Sequence, residues 1–440
     1  MRPSTAHRKR SAGPDNAQKK SARGFISGLL SKLGPGLVTG ASDDDPSGIA
    51  TYSQVGAQFG YTLLWTMVLS YPLMAAIQEI CGRIGRVTGS GLAANLRKNY
   101  PKPLLVAVLL LMSVANVFNL GADIGAMGSS VALLVPRTAT LFTVIFGVFS
   151  LLTVLFVPYT SYAKYLKWLT LSLFAYIGVA FMVRVSWREV LNATLVPRME
   201  LSRESFVALI AVLGTTISPY LFFWQASQEA EEVKNNRGEE ALKRAPSQAG
   251  KQLQRIHADT MVGMAFSNTV AFFIILTAAA TLHAHGITNI STCAQAASAL
   301  RPIAGRFASL LFVCGIVGTG LLAVPVLGAS AAYGIGEGFK WKTSLESQPA
   351  QAPQFYGVIG IATVIGLLMN FLHLDPVKAL FWAAALNGLA AAPLMAVIML
   401  MASSGKVMGK FKIPSYLLWT GWIATAAMAC VCVGVFLAWK

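Results

Sequence analysis

Charge is scarce in this chain. Of its 440 residues only 12% are Asp, Glu, Lys or Arg, against the roughly 25% of a soluble domain. With 55% hydrophobic residues and a mean hydropathy of +0.59, that scarcity excludes a soluble globular protein and places most of the chain in a bilayer. Cysteine is also sparse. The five thiols, Cys81, Cys293, Cys314, Cys430 and Cys432, are scattered with no CxxC pair or Cys/His cluster, which argues against a zinc site or a disulfide framework. They read as small apolar core fillers. No glycine-rich phosphate cradle, Walker or kinase signature is present, and no stretch is polar enough for a soluble catalytic domain. An ATP-driven pump, an enzyme and a cofactor are therefore not expected. A secondary carrier or a channel remains.

Acidic residues are fewer than basic ones, 18 against 35, for a net charge of +17. The distribution of the excess argues against nucleic acid as a partner. Arg8-Lys9-Arg10 and Lys19-Lys20 lie in a Ser-, Ala- and Gly-rich stretch, expected as a disordered cytoplasmic tail over 1–34 that touches anionic lipid. It lacks the small-residue cleavage pattern of a clean signal peptide. Residues 35–440 are expected as one transmembrane domain of eleven apolar segments, near 35–58, 61–82, 104–133, 138–157, 159–184, 205–227, 257–282, 304–334, 354–372, 376–402 and 414–438. Most of the basic residues fall on the tail and the even-numbered connections. The expectation is a multi-pass cell-membrane protein, N-terminus cytoplasmic and C-terminus extracellular or periplasmic. The stretch Glu229 to Arg255 is the most charged internal one and reads as a solvated cytoplasmic loop. His257, His283, His285 and His373 fall at segment ends and read as interfacial.

Two segments are broken. The first holds Gly40-Ala41-Ser42-Asp43-Asp44-Asp45-Pro46-Ser47-Gly48, and the sixth holds Gly214-Thr215-Thr216-Ile217-Ser218-Pro219-Tyr220. A carboxylate at the centre of a membrane helix costs about 2.5–3.5 kcal/mol on an insertion scale, and Pro and Gly release backbone groups from the helical ladder. Paired interruptions at matching places in two halves point to a mid-membrane substrate site. The same reasoning makes Ser42, Asp44, Asp45, Gly48, Thr215, Thr216, Ser218 and Tyr220 the candidate substrate-binding residues. Three adjacent carboxylates repel, so Asp45 is taken as the principal one.

The residues Gly34-Pro35-Gly36-Leu37-Val38-Thr39-Gly40, Asp45-Pro46-Ser47-Gly48-Ile49-Ala50-Thr51 and Gly56-Ala57-Gln58-Phe59-Gly60-Tyr61 resemble the opening of the Nramp family of divalent-metal transporters. Val87-Thr88-Gly89, Tyr100-Pro101, the second break and the glycine-rich run ending Gly336-Glu337-Gly338-Phe339 continue the likeness in order. It implies an all-α polytopic membrane protein of LeuT type, with inverted repeats of five plus five helices, an eleventh helix, and helices 1 and 6 unwound at the midplane. The metal ligands it implies are Asp45, Ser42, Thr215 and Ser218, the carbonyls of Ser42 and Thr215 among them. A monomer is expected, with a small inorganic ion and the lipid bilayer as its partners.

The family pattern is altered at its core. Gly48 stands where the family has a ligand asparagine, Ser218 where it has methionine, and Tyr220 and Gln225 where it has histidines. Loss of a thioether leaves an oxygen-only site, suited to Mg²⁺ over Mn²⁺ or Fe²⁺. In segment three the acidic pair of the family gives way to Asn116, Asn119 and Asp123. Asp123 and Asn119 are candidates for a proton or cation relay, and proton coupling is in doubt. Two other readings stay open: a bicarbonate-like anion carrier using the half-helix N-terminus at Ser218, and a metal-sensing, non-transporting relative.

Overall fold

The computed structural model describes residues 39, 40, 42–135, 138–157, 171–236, 238–372 and 375–438; the expected tail and His373 lie outside them. Every regular element described is helical. The principal helices are α1 (Pro46–Phe59), α2 (Trp65–Thr88), α3 (Leu92–Asn99), α4 (Lys102–Val131), α5 (Ala139–Phe156), α6 (Phe174–Met182), α7 (Trp187–Leu195), α8 (Arg203–Thr216) and α9 (Pro219–Asn235). They continue with α10 (Ala249–Thr281), α11 (Ala308–Phe339), α12 (Pro353–Met369), α13 (Pro376–Ser403) and α14 (Ser415–Leu437).

Both interruptions have a local cause. Asp45 has extended backbone angles and caps α1, with Pro46 in the first turn, where a missing N–H costs nothing. In the sixth segment α8 stops at Thr216, and Ser218 precedes Pro219, the first residue of α9. A proline there cannot donate to the preceding turn and disfavours helical geometry at Ser218. The α1 end is set by Gly60 at φ 58°.

The packing is paired. The second half of segment one, α1, lies along α10 of segment seven, and the second half of segment six, α9, lies along α2 of segment two. Exchanging the first five segments for the second five interconverts these pairs and returns α4 against α11 to itself. Glycine permits both approaches: a Cβ on Gly56 would sit 2.3 Å from Ile275 O, and one on Gly85 would sit 2.1 Å from Ala226 O. Such backbone contact is typical of membrane helices, whose association rests on close packing.

Several boundaries differ from expectation. Eight described helical stretches are long and apolar enough to cross a membrane, or nine if Leu171–Met182 and α7, bent by 119°, form one span. The 14-residue α1 and the charged α2 fall outside that set, and residues 158–170 of the expected fifth segment lie outside the described residues. The solvated loop read over Glu229 to Arg255 is corrected. Helix α9 runs through Glu229 to Asn235, α10 starts at Ala249, and the Glu229 side chain is fully buried. The charges there pair with one another across helices, which a one-dimensional reading of polarity cannot register.

Candidate functional site

The two breaks face each other. Tyr220, in the first turn of α9, donates its hydroxyl to Ser42 O at 2.8 Å, with Asp45 Oδ2 at 3.5 Å. Thr215, in the last turn of α8, donates to the Tyr52 hydroxyl on α1 at 2.7 Å. From the scaffold, Ser330 on α11 donates to Tyr220 O at 2.7 Å, and Asn119 Nδ2 on α4 donates to Asp45 Oδ2 at 2.9 Å. Four segments therefore converge on one point, every side chain there being almost wholly buried.

Asp45 is the centre of this network. Its Oδ1 accepts Ser47 Oγ at 2.6 Å and Gly48 N at 2.8 Å, the helix-capping geometry, while Oδ2 takes Asn119. Such donors hold a buried carboxylate and leave it a directed charge. Asp43 and Asp44 turn away: Ser267 Oγ on α10 lies 2.6 Å from Asp43 Oδ2 and 3.0 Å from Asp44 Oδ1. A single hydroxyl has one proton to give, so that pair is under-supplied with donors, and among the described residues Asp43 Oδ1 and Asp44 Oδ2 have no partner. Among the described residues Asp43, Asp44, Asp45 and Asp123 form no ion pair, and no three His, Cys, Asp or Glu side chains come together as a metal cluster. This cluster of buried carboxyl groups, with no ion pair among the described residues, is the main electrostatic feature of the region.

The hydroxyls of the second break serve the backbone. Ser218 Oγ shares its one proton between Thr215 O at 2.7 Å and Gly214 O at 2.9 Å, and Thr216 Oγ1 donates to Val212 O at 3.1 Å. They satisfy carbonyls freed where α8 ends. Ser42 and Thr215, whose carbonyls the resemblance makes ligands, thus accept Tyr220 and Ser218 in this state, and Ser42 Oγ is buried without a partner among the described residues. Gly48 is closely surrounded: a Cβ there would press on the Tyr52 ring at 3.3 Å and meet Asp45 Oδ1 at 3.6 Å. On α4, Asp123 is fully buried beside Asp45 and the backbone N–H of Ser47.

Other sequence candidates lie apart. Gln225 accepts Thr39 Oγ1 at 2.6 Å, tying the first half of segment one to α9. Asn268 bridges α10 to α2 through Met67 O at 2.8 Å, an interhelical role. Asn387 on α13 is buried with both its amide atoms unpartnered. His257 pairs with Glu79 at 2.8 Å, His283 bonds Ala57 O, and His285 bonds Thr281 O.

One feature escaped the sequence. At the far end of α9, Arg86 of α2 is fully buried and meets Glu239 at 2.5 Å, Glu232 at 3.7 Å and Glu229 at 3.9 Å. Arg255 of α10 meets Glu229 at 2.6 Å and Glu232 at 3.0 Å. Glu231 accepts from Tyr333 of α11, and Ser227 donates to Glu337 of α11 at 3.2 Å. Within less than two turns, residues 227–232 pin α9 to three neighbouring helices. The i, i+3 pair Glu229 and Glu232, set against arginine inside an apolar segment, was the available signal.

Comparison with known proteins gives a consistent result. A family model described as natural resistance-associated macrophage protein-like matches residues 36–438. The divalent metal cation transporter MntH of Verminephrobacter eiseniae is 24% identical over 393 residues, covering 86% of this chain and 87% of that protein. The protein of the same name from Yersinia enterocolitica is 27% identical over 320 residues, covering 70% and 73%. Among solved structures, the Eremococcus coleocola manganese transporter superposes with a TM-score of 0.73 at 19% identity, covering 93% of this chain and 86% of that one. Mhp1, a nucleobase-cation-symport-1 family transporter, gives 0.58 at 15% identity, covering 92% of each. The fold is that of the multi-span, all-helical LeuT-type transporters.

Proposed function

The chain belongs to the natural resistance-associated macrophage protein-like family, and on that premise we propose that it is a secondary transporter of divalent metal cations. The ion passes by alternating access through the site between the two helix breaks. The observation that carries this reading is the convergence of Asp45, the Ser42 carbonyl and Tyr220 across the breaks, in a buried region with excess carboxylate and no ion pair. A dication replaces the Tyr220 and Ser218 hydroxyls on the Ser42 and Thr215 carbonyls and takes Asp45 as its charged ligand. The same negative charge speaks against an anion as cargo.

The donor set is oxygen, with Ser218 and Gly48 where the family has methionine and asparagine. Carboxylate, carbonyl and hydroxyl ligands suit a hard ion, and Mg²⁺, which keeps several waters, gains from smaller residues. We therefore assign Mg²⁺ as the favoured cargo over Mn²⁺ or Fe²⁺. Tyr220 and Gln225 replace the histidines that would accept protons near neutrality, so the transport step is not driven by a proton through segment six. The N-terminus is taken as cytoplasmic and the C-terminus as external, from the side on which lysine and arginine accumulate.

The test is uptake into proteoliposomes loaded with a divalent-sensing dye, comparing Mg²⁺, Mn²⁺ and Ca²⁺, with an internal pH probe run against bicarbonate. Saturable Mg²⁺ uptake that Asp45→Ala abolishes, in a variant that still purifies as a monodisperse species, is expected. Bicarbonate-dependent pH change without divalent uptake would overturn the reading.

A further inference from the structure

The connection between α13 and α14 gathers lysines around one short turn. Helix α13 ends at Ser403 and α14 begins at Ser415, and between them the chain turns over Gly405–Met408. The turn is fixed: Met408 N donates to Ser404 O at 2.8 Å, Gly409 N donates to Gly405 O at 2.9 Å, and Val407 and Met408 are buried. Lys406 lies in the turn itself. Lys243, from the connection between α9 and α10, donates to Lys406 O at 3.1 Å, and its Cε lies 3.5 Å from where a Cβ on Gly409 would stand. Lys412 folds back so that its Nζ lies 3.7 Å from the corresponding point on Gly405. Lys410 adds a fourth charge, 5.5 Å from the Phe411 ring centre. The α9–α10 connection is itself held to the end of α2, Leu242 N donating to Arg86 O and Lys243 N to Val87 O, each at 3.2 Å.

All four lysines are exposed, and none forms an ion pair among the described residues. Glu240, three residues before Lys243, forms none either, and Glu79, which accepts from Tyr416, is taken by Arg83 at 2.7 Å and His257 at 2.8 Å. Basic residues favour one side of a membrane, which accounts for lysines at this end of the helices. It does not account for lysines of two separate connections meeting on one turn, where their charges repel. An anion relieves that repulsion, and the position says which one. Tyr416 and Trp419, 51% and 69% exposed, stand at i and i+3 in the first two turns of α14. Such rings sit at headgroup depth, so the lysines just before them are level with lipid phosphates.

We propose that Lys243, Lys406, Lys410 and Lys412 form a binding site for the phosphate headgroup of an anionic phospholipid, in the leaflet that meets the start of α14. Ammonium groups on flexible stems suit a phosphate that arrives on a mobile lipid, and each lysine beside an anionic headgroup is worth about fivefold in binding. The bound headgroup bridges the α9–α10 and α13–α14 connections, which Lys243 already joins through Lys406 O. Because the first of these connections carries Glu239 of the Arg86 cluster, an occupied site also steadies that end of α9. The site uses none of the residues between the helix breaks and stands whatever the cargo is.

The experiment uses the purified full-length chain, stripped of lipid in a neutral detergent. Short-chain phosphatidylglycerol, phosphatidylcholine and inorganic phosphate are titrated separately, with bound lipid counted by native mass spectrometry and thermal melting followed in parallel. Saturable phosphatidylglycerol binding and a rise in melting temperature are expected, with neither response to phosphatidylcholine or to phosphate at the same concentration. The triple variant Lys406→Gln, Lys410→Gln, Lys412→Gln should weaken phosphatidylglycerol binding by about tenfold or more. A control that removes the same charge elsewhere, Arg188→Gln with Lys342→Gln and Lys378→Gln, should change it by less than about twofold. If the triple variant does not purify as a monodisperse species, Lys412→Gln alone carries the test, with a loss of about fivefold. Equal binding of the two lipids, a loss in the control as large as in the triple variant, or unchanged binding in the folded lysine variants would each overturn the proposal. A melt that rises as much with inorganic phosphate would make this a free-anion site and overturn the assignment to lipid.

Discussion

Replacing Arg86 with methionine tests the ion cluster that anchors α9. Methionine keeps much of the aliphatic stem, so the change removes charge more than volume. Arg86 and Arg255 face Glu229, Glu232 and Glu239; without Arg86 one cation faces three carboxylates. Breaking a buried ion pair by removing one partner costs about 3–5 kcal/mol. Two features place this case at the lower end. Arg255 still holds Glu229 at 2.6 Å, and the side chains of Glu232 and Glu239 are 31% and 29% exposed, so water screens part of the repulsion. A loss of about 3 kcal/mol in a chain of this size lowers the melting temperature by roughly 3 °C, measurable by scanning fluorimetry in detergent.

The same substitution has a pH signature. Partial burial pushes the Glu239 carboxyl up, but the Arg86 hydrogen bond and charge outweigh it, and its pKa lies below the ordinary 4.5. Folding is thus favoured by this pair above pH 4.5, and the contribution is lost as pH falls through the lowered value. The difference between the unaltered protein and Arg86→Met should be full at neutral pH and narrow in acid. Adding Glu239→Gln to the variant should recover part of the loss by removing one unpaired charge. A variant that melts with the unaltered protein at neutral pH would refute the assignment of a stabilising role to the cluster.

Gly214→Ala should be strongly destabilising, because the new methyl group would lie 2.0 Å from Ala384 O and 2.4 Å from Gly388 N; the yield of monodisperse protein reports it, and near-normal recovery would contradict the close α8–α13 approach. Tyr220→Phe frees the Ser42 carbonyl, so divalent binding by calorimetry should tighten or hold, while a large loss would make the hydroxyl itself a ligand. Ser218→Met combined with Gly48→Asn should shift uptake toward Mn²⁺, since a thioether contributes little to Mg²⁺. It also forfeits the hydrogen bond that the Ser218 hydroxyl shares between two backbone carbonyls, about 1 kcal/mol, and a lower melting temperature should accompany the shift.

The sequence by itself determined that this is a membrane protein, where most helices run, and where two of them break. Those features are local. Apolar length, a proline and a capping aspartate act on their own neighbours, and Asp45 with Pro46 or Ser218 with Pro219 leaves the backbone little choice. Order along the chain also carried the family resemblance. What each polar side chain does was decided only by the tertiary structure. Asp43 and Asp44 are adjacent to Asp45 in sequence yet face Ser267 of another helix, because a single extended residue turns the chain between them. Thr216 and Ser218, read as substrate-binding candidates, bond carbonyls of their own broken helix in this structure, and Glu229 read as solvated but is buried against Arg86 and Arg255. Hydropathy counts a charge as exposed unless its partner is known, and here the partners lie on α2 and α10.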